Sequence, residues 1–210
     1  IARMLFEIEN LEYEVDGRPV LGKRSLNVAG GRHLLVLGPS GCGKTTLMNI
    51  MAGLLKPTSG KIFFEGQNYA ALSEQQLDKV RAENFGFVFQ KLHLIGHLSV
   101  AQNIAVAQNK SDPKYIQSLI DDLGLSGKEK QKAHDLSVGE AQRVTIARAV
   151  ANTPRVIFAD EPTSALDDTN ANNVMDLLFE QIKKTGATVI AATHDARITN
   201  RFKTIWEISA

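Results

Sequence analysis

The residues best suited to chemistry form one glycine-rich run, Gly38-Pro39-Ser40-Gly41-Cys42-Gly43-Lys44-Thr45, which fits the phosphate-binding pattern G-x-x-x-x-G-K-[ST] in full. Glycines let the backbone turn its N–H groups towards an anion. A helix that begins near Thr45 would add its partial positive charge and free N–H donors. We expect Lys44 to reach the β- and γ-phosphates of a nucleotide and the Thr45 hydroxyl to bind Mg²⁺. Cys42 occupies a free position of the pattern and is interpreted as a small filler, not a reactive thiol.

A second group of candidate residues follows another apolar run. The segment Val156–Ala159 predicts a buried strand, and two carboxylates, Asp160 and Glu161, come directly after it. Beside a phosphate-binding loop, Asp160 would hold Mg²⁺ directly or through water. Glu161 would orient and deprotonate an attacking water, which is general-base catalysis.

The elements that must position these residues are a strand before the phosphate-binding loop and a helix after it. The apolar run from His33 to Leu37 predicts a strand buried on both faces. The stretch from Thr45 to Leu55 predicts a helix, which Lys56-Pro57-Thr58-Ser59-Gly60 would end.

The remaining chain divides into a β-rich start and a helical middle. Residues 5–36 are β-rich in pattern: Leu5–Val15 alternates apolar and polar side chains, and a hairpin turn is predicted at Asp16-Gly17. The stretch from Ser73 to Ala151 is mainly helical in pattern, and strands return at 156–159 and 188–192 around a helix at about 170–184. We therefore predict an α/β fold: a P-loop core with a mainly parallel sheet and flanking helices, an N-terminal antiparallel β subdomain, and an inserted helical subdomain. Its predicted bounds are about 1–88 and 152–210 for the core with the β subdomain, and about 89–151 for the insertion.

Composition limits the partners of the chain. Its 210 residues carry a formal net charge of +1, with acidic and basic residues interspersed, so no nucleic-acid partner is expected. Apolar runs are of strand length, well short of the roughly 18 residues of a membrane span. The single cysteine fits a reducing compartment. Any role at a membrane would therefore depend on a partner protein.

A third motif narrows the class of nucleotide hydrolase. The stretch Leu136–Ala149 resembles the signature of the ABC (ATP-binding cassette) family, usually Leu-Ser-Gly-Gly-Gln followed by a Gln-Arg-Val-x-Ile-Ala-Arg-Ala helix. Asp160–Asp167 resembles the family's acidic strand running into its D-loop. Gln90, after Phe85–Phe89, resembles the Q-loop, and His194 resembles the switch histidine. Five motifs occur in the family's order and cover essentially the whole chain.

The resemblance implies ATP and Mg²⁺ as cofactors and assigns roles to individual residues. Glu161, His194 and Gln90 would be catalytic, and Thr45, Gln90 and Asp160 would hold the metal. The nucleotide would contact Gly38, Pro39, Ser40, Gly41, Cys42, Gly43, Lys44, Thr45, Thr46, Tyr13 and, from a second chain, Ser137 and Gly139. In the family two cassettes pair head to tail on ATP, so an ATP-dependent homodimer is expected.

Two departures from the family pattern stand out. The signature reads Ser-Val-Gly-Glu, so Val138 replaces a flexible glycine and Glu140 places a negative charge near a polyanion. A modest loss of affinity or turnover would follow, but not loss of function. The aromatic that usually stacks on adenine falls on Val15 in an ungapped comparison, and Tyr13 lies two residues earlier on the same strand face. Either position remains open for that role.

Within the family, a transporter ATPase is favoured over soluble ABC proteins. Only roughly ninety residues separate the phosphate-binding loop from the signature, without the sustained heptads of a chromosome-maintenance or DNA-repair coiled coil. The chain has room for one cassette, whereas translation factors carry two. The chain most resembles the short ATPases of lipoprotein release and macrolide export. This implies a cytoplasmic ATPase bound to the inner face of the cell membrane through an integral membrane permease, moving a lipid-like or hydrophobic substrate; an importer ATPase is the alternative.

Overall fold

The computed structural model describes residues 3–164 and 166–208. Ala165, in the predicted D-loop, lies outside the described residues, as do the four terminal residues. The chain forms two compact units, one from Ile1–Ala82 and Thr188–Ala210 and the other from Glu83–Ala187. The elements in chain order are β1 (Met4–Val15), β2 (Arg18–Ala29), β3 (Leu34–Leu37), α1 (Lys44–Met51), β4 (Ser59–Phe64), β5 (Gln67–Asn68), α2 (Glu74–Asn84), β6 (Phe85–Phe89), α3 (Val100–Ala105), α4 (Pro113–Asp122), α5 (Val138–Val150), β7 (Val156–Asp160), α6 (Asp168–Thr185), β8 (Thr188–Thr193) and β9 (Thr204–Glu207).

The first unit contains an antiparallel sheet with the strand order β2-β1-β4-β5. Strands β1 and β2 form the predicted hairpin around Asp16 and Gly17, whose φ angles of 50° and 72° are those of a left-handed turn. Alternate side chains of β1, including Phe6 and Ile8, are buried, and Phe6 packs on Phe64 of β4 with ring centroids 5.1 Å apart. The predicted N-terminal antiparallel β subdomain is therefore confirmed.

The same unit contains three parallel strands, with β3 between β8 and β9. Leu34–Val36 in β3 are at most 1% exposed, and all six residues of β8 are buried, as two-sided burial of a parallel strand requires. Helix α1 packs on β8 and buries Leu47, Ile50 and Met51. A phosphate-binding loop thus runs from a buried strand into a helix, as its pattern predicts.

The second unit combines the parallel pair β6 and β7 with helices α3–α6. Helix α5 packs against β6 and against α3, α4 and α6, and eight of its thirteen side chains are buried. Phe158 of β7 meets Phe85 of β6 edge to face, with ring centroids 5.3 Å apart. No helix within the described residues is long and apolar enough to cross a membrane.

Three details differ from the sequence-based expectation. Phe85–Phe89 forms a strand inside the stretch predicted as mainly helical, because a five-residue apolar run has no periodicity that separates strand from helix. A strand at Thr204–Glu207 was not predicted, since its half-exposed residues carry no apolar run. Helix α1 ends at Met51 and not at Leu55, because the chain turns at Gly53 with φ 69°. The predicted bounds at 88 and 152 remain a prediction.

Gly86 of β6 marks the closest approach between a strand and the helix α5. A Cβ atom at Gly86 would overlap the carbonyl oxygen of Ala149, near the end of α5, and would lie 3.2 Å from the Pro154 ring. Only glycine leaves room for this contact, and backbone atoms cannot move aside as a flexible side chain could. The residue therefore fixes the distance between β6 and α5.

We expect Gly86→Ala to lower the free energy of unfolding by about 2 kcal/mol, because the added methyl group forces β6 and α5 apart. Urea unfolding followed by circular dichroism measures the change. Gly22→Ala is the matched control, because Gly22 also lies in a strand and a Cβ there would meet nothing within 4 Å. Equal stability of the two variants would contradict the close-approach interpretation.

Candidate functional site

The phosphate-binding loop is held open by glycines at positions that no other residue fits. Gly41 and Gly43 have φ angles of 83° and 94°, in the left-handed region. A Cβ at Gly43 would also lie 2.7 Å from the carbonyl oxygen of Val20 in β2. Gly43 is the N-cap of α1, and no side chain of the described residues caps this helix. The first turn of α1 therefore offers backbone N–H donors to an anion.

Lys44 lies across the loop that precedes it. Its side chain is buried, and its Nζ donates to the carbonyl oxygens of Gly38 and Pro39 at 2.8 and 2.9 Å. Cys42 is buried, and its sulfur lies so close to Gly38 that a Cβ there would come within 2.7 Å. The thiol thus fills space under the loop, in line with its interpretation as a filler.

His194 is the first residue after strand β8, next to the start of the phosphate-binding loop. The register pairs Leu37 of β3 with Thr193 of β8, and the Gly38 N–H donates to the Thr193 carbonyl oxygen at 3.3 Å. The exposed His194 follows at once. Asp195 braces this turn, since its N–H donates to the Thr193 hydroxyl at 2.9 Å and its carboxylate receives two-point hydrogen bonds from Arg197. The first unit therefore brings the loop and the histidine together at the carboxyl ends of neighbouring strands.

The second unit brings Gln90, Asp160 and Glu161 together in the same way. Phe89 of β6 pairs with Asp160 of β7, so Gln90 and Glu161 are the first residues beyond two neighbouring parallel strands. Glu161 has φ 48°, a left-handed conformation that non-glycine residues rarely adopt. The Ser164 hydroxyl and N–H both bind its carbonyl oxygen, at 3.2 and 3.4 Å. Five other non-glycine residues of the described chain share this conformation, so it does not by itself mark Glu161 as functional.

The segment after Gln90 is held by two side chains to which the sequence assigned no role. Arg148 of α5 donates to the carbonyl oxygens of Leu92 and His93 at 2.8 and 2.7 Å, and burial lowers the pKa of its guanidinium. Asn103 of α3, fully buried, binds the backbone N–H and carbonyl of Ile95 at 2.8 and 3.1 Å. Arg148 lies within the signature stretch, which marked its position but not its partners, and Asn103 had no signal in the sequence.

The signature begins helix α5 with a capping box. Ser137 is the N-cap, its hydroxyl oxygen accepts from the Glu140 N–H at 3.3 Å, and the Glu140 carboxylate accepts from the Ser137 N–H at 3.0 Å. The side chain of Val138 is 67% exposed and contributes nothing to the core. Ser137 and Gly139 thus lie at a helix N-terminus, where backbone donors and the helix dipole favour an anion.

Tyr13 and Val15, the two candidates for stacking on adenine, both lie near the end of β1. Tyr13 pairs with Leu21, and Val15 pairs with Arg18. A Cβ at Gly43 would lie 3.5 Å from the Leu21 side chain, so this part of β2 adjoins the phosphate-binding loop. Val15 is 46% exposed and Tyr13 is partly exposed, so both are accessible and the role of each stays a prediction.

The candidate metal ligands are a hydroxyl (Thr45), an amide (Gln90) and a carboxylate (Asp160). The described residues contain no cluster of three histidine, cysteine, aspartate or glutamate side chains that could bind a metal. Mg²⁺ prefers oxygen ligands and is usually held by one or two carboxylates with water and substrate phosphates. Each of the three side chains thus offers an oxygen atom of the kind that Mg²⁺ binds.

A glycine-rich loop between a buried parallel strand and a helix, with carboxylates and a histidine at strand ends, defines a P-loop nucleotide-binding cassette. A sequence model described as "ABC transporter" matches residues 21–164. The chain therefore belongs to the ABC transporter family, as its signature motif predicted.

Individual relatives agree with this assignment. The lipoprotein-releasing system ATP-binding protein LolD of Aquifex aeolicus is 39% identical over 206 residues, covering 94% of this chain and 92% of that protein. The macrolide export ATP-binding/permease protein MacB of Escherichia coli is 40% identical over 197 residues, and the chain spans only 30% of its length. The dimeric structure of MJ0796, a bacterial ABC transporter cassette, superposes with a TM-score of 0.85 at 30% identity over 98% of this chain and 94% of that one. The predicted fold class is confirmed, and the chain is an adenine-nucleotide-binding cassette.

We expect Glu161→Gly to be more stable than Glu161→Ala by about 1 kcal/mol, because only glycine adopts φ 48° without strain. Both variants lack the carboxylate, so the difference isolates the backbone. Chemical denaturation at neutral pH measures it. The opposite order, which is usual at ordinary helix or strand positions, would show that Glu161 is not strained.

Proposed function

We propose that this chain hydrolyses ATP and thereby powers a separate membrane permease. The observation that carries the proposal is the strand register, which places two sets of candidate site residues at the carboxyl ends of paired strands. Pairing of Leu37 with Thr193 brings the phosphate-binding loop and His194 together, and pairing of Phe89 with Asp160 brings Gln90 and Glu161 together. In this proposal both sets serve one bound nucleotide.

The phosphate-binding loop would hold the triphosphate. Its backbone N–H groups and the first turn of α1 supply donors, and Lys44, which already binds two loop carbonyls, would transfer some of its hydrogen bonds to the β- and γ-phosphates. Thr45, Asp160 and Gln90 would hold Mg²⁺, which neutralises charge on the phosphates when bound. Tyr13 or Val15 would contact the adenine.

Glu161 would act as the general base. Its carboxylate would accept a proton from the water that attacks the γ-phosphate, and its left-handed backbone fixes where that side chain starts. His194, on the braced turn after β8, would donate to the γ-phosphate, and Gln90 would orient the water. The main contribution of these residues would be to position the water and the γ-phosphate, because the protein does little covalent chemistry in phosphoryl transfer.

A second copy of the chain would complete the site. Ser137 and Gly139, at the N-terminus of α5, would contact the γ-phosphate of the partner's nucleotide. ATP would then join the two chains, and its hydrolysis would release them, which is the usual logic of a nucleotide switch. The dimeric state of MJ0796 supports this proposal.

Glu161→Gln tests the hydrolysis step. We expect its ATP turnover to fall by about a hundredfold or more, because removing a general base typically has that effect. The variant should still bind Mg-ATP and should accumulate as a dimer, which light scattering after size exclusion detects. Glu180→Gln on α6 is a matched control and should turn over ATP at the parent rate. Parent-like turnover by the pure Glu161→Gln protein would contradict the assignment of the base.

The permease is expected to bind the segment that follows Gln90. Residues 91–98 alternate exposed and half-buried positions, and apolar side chains at Leu92, Leu94 and Ile95 lie at least partly at the surface. Arg148 and Asn103 bind the backbone of this segment at His93 and Ile95. A partner that displaced the segment would therefore also displace the residues next to Gln90. The names of LolD and MacB support a lipid-like or hydrophobic substrate and export or extraction as the direction.

Affinity purification of the tagged chain from detergent-solubilised membranes of its host tests the partner. We expect a permease with few membrane spans and a large extracytoplasmic domain to accompany the chain. A many-span permease together with a binding protein would favour the importer alternative. Recovery of only DNA-repair or ribosomal proteins would contradict the transporter proposal and leave the ATPase standing.

A further inference from the structure

Glu140 is the signature residue whose charge is hardest to reconcile with phosphate binding. It replaces the glutamine usual at this position, and it lies within one helical turn of Ser137. A carboxylate so close to the proposed γ-phosphate would repel the nucleotide of the partner chain. The structure shows what offsets this charge.

The two carboxylate oxygens of Glu140 have separate partners. Oε2 accepts a hydrogen bond from the Ser137 N–H at 3.0 Å, and Oε1 binds the Lys128 ammonium at 2.8 Å. The Glu140 side chain is only 17% exposed and that of Lys128 is 36% exposed. Lys128 first, and then the Ser137 N–H, lowers the pKa of Glu140, so the carboxylate stays ionised and paired near neutral pH.

The same capping box orients the Ser137 hydroxyl. Its oxygen accepts from the Glu140 N–H at 3.3 Å, which uses an acceptor site and leaves the O–H proton available to donate. A donating hydroxyl is what a phosphate oxygen requires. The Glu140 carboxylate in turn holds the backbone N–H of Ser137, so it fixes the N-cap residue that carries this hydroxyl.

Lys128 is presented by a loop with a fixed backbone. The Lys128 N–H donates to the Leu125 carbonyl and the Lys128 carbonyl accepts from Gln131, both at 3.0 Å, while Leu125 is fully buried. Two further bonds tie this loop to the start of α3, from Val100 to the Gln131 carbonyl and from Ala101 to the Glu129 carbonyl. The lysine thus reaches α5 from an ordered loop, so little backbone conformational entropy is lost when the ion pair forms.

We propose that Lys128 is a positioning residue for the signature: by pairing with Glu140 it cancels the negative charge and holds the cap that aims Ser137 at the partner chain's nucleotide. The inference rests on the proposed role of Ser137 in trans. It explains how a Ser-Val-Gly-Glu signature works in an ATP-dependent dimer. It also makes Lys128 necessary only while residue 140 is a glutamate, because a glutamine can form the capping bond without carrying charge.

The test compares four variants of the full chain: Lys128→Met, Glu140→Gln, the double variant, and Lys130→Met as the matched control. Lys130 is an exposed lysine of the same loop. ATP-dependent dimerisation is measured in the Glu161→Gln background, and kcat/KM for ATP with Glu161 intact. Monomer binding of a fluorescent ATP analogue at the phosphate-binding loop is followed in parallel.

We expect Lys128→Met to raise the ATP concentration for half-maximal dimerisation about tenfold and to lower kcat/KM by a similar factor, as loss of a helix cap next to a bound anion implies. Monomer binding of the analogue should stay within about twofold, because Ser137 acts only in trans. Glu140→Gln and the double variant should match each other within about twofold, and Lys130→Met should match the parent. This rescue is a result that a merely structural role of Lys128 would not give.

Two results would overturn the inference while the parent dimerises normally: parent-like behaviour of Lys128→Met, or a double variant as impaired as Lys128→Met. If Lys128→Met fails to fold, Lys128→Arg replaces it. Loss of dimerisation in that variant, which keeps the positive charge, would also contradict the inference. A parent chain that neither hydrolyses ATP nor dimerises with it would instead refute the proposed function, and this inference with it.

Discussion

The parallel pairing of β3 with β8 is the constraint on which the first unit depends. Residue for residue, it sets Leu34–Leu37 against Ile190–Thr193, so the phosphate-binding loop and His194 leave the sheet at the same level. A shift of one residue would turn every side chain of β3 to the other face and would break the hydrogen bond from Gly38 to Thr193. Burial of Leu34–Val36 and of all six residues of β8 makes such a shift costly, so packing away from any ligand fixes the position of the loop.

The second unit positions its groups by backbone contact. Gly86 lets the end of α5 approach β6 without a side chain between them, and Arg148 of the same helix binds the carbonyls that follow Gln90. One helix therefore carries the signature at its first turn and holds the Q-loop segment near its last. Displacement of α5 along its axis would therefore change both ends at once.

Two residues of the proposed site carry a local cost in stability. Glu161 keeps a left-handed backbone where glycine would be relaxed, and Glu140 keeps a charge where glutamine would need no counter-ion. In the proposed mechanism the first of these positions carries the general base. In the second, Lys128 and the Ser137 N–H each bind one of the two carboxylate oxygens of Glu140. At both positions a glutamate is retained where another residue would be easier to accommodate.

The sequence by itself determined the class of fold, the family and the identity of the candidate site residues, because motifs such as Gly38–Thr45 state which backbone and side-chain groups a phosphate needs. It also predicted the β1–β2 hairpin from Asp16-Gly17 and the strands that bear Leu37 and Asp160. Only the tertiary structure decided that Phe85–Phe89 is a strand, since pairing with β7 and contact with α5 select that conformation for an ambiguous apolar run. The partners of Arg148 and of Glu140 were likewise decided in three dimensions, because Leu92 and His93 lie more than fifty positions from Arg148 and Lys128 lies twelve from Glu140. Spacing along a chain predicts contacts within a helix or strand, whereas contacts between elements depend on how those elements pack.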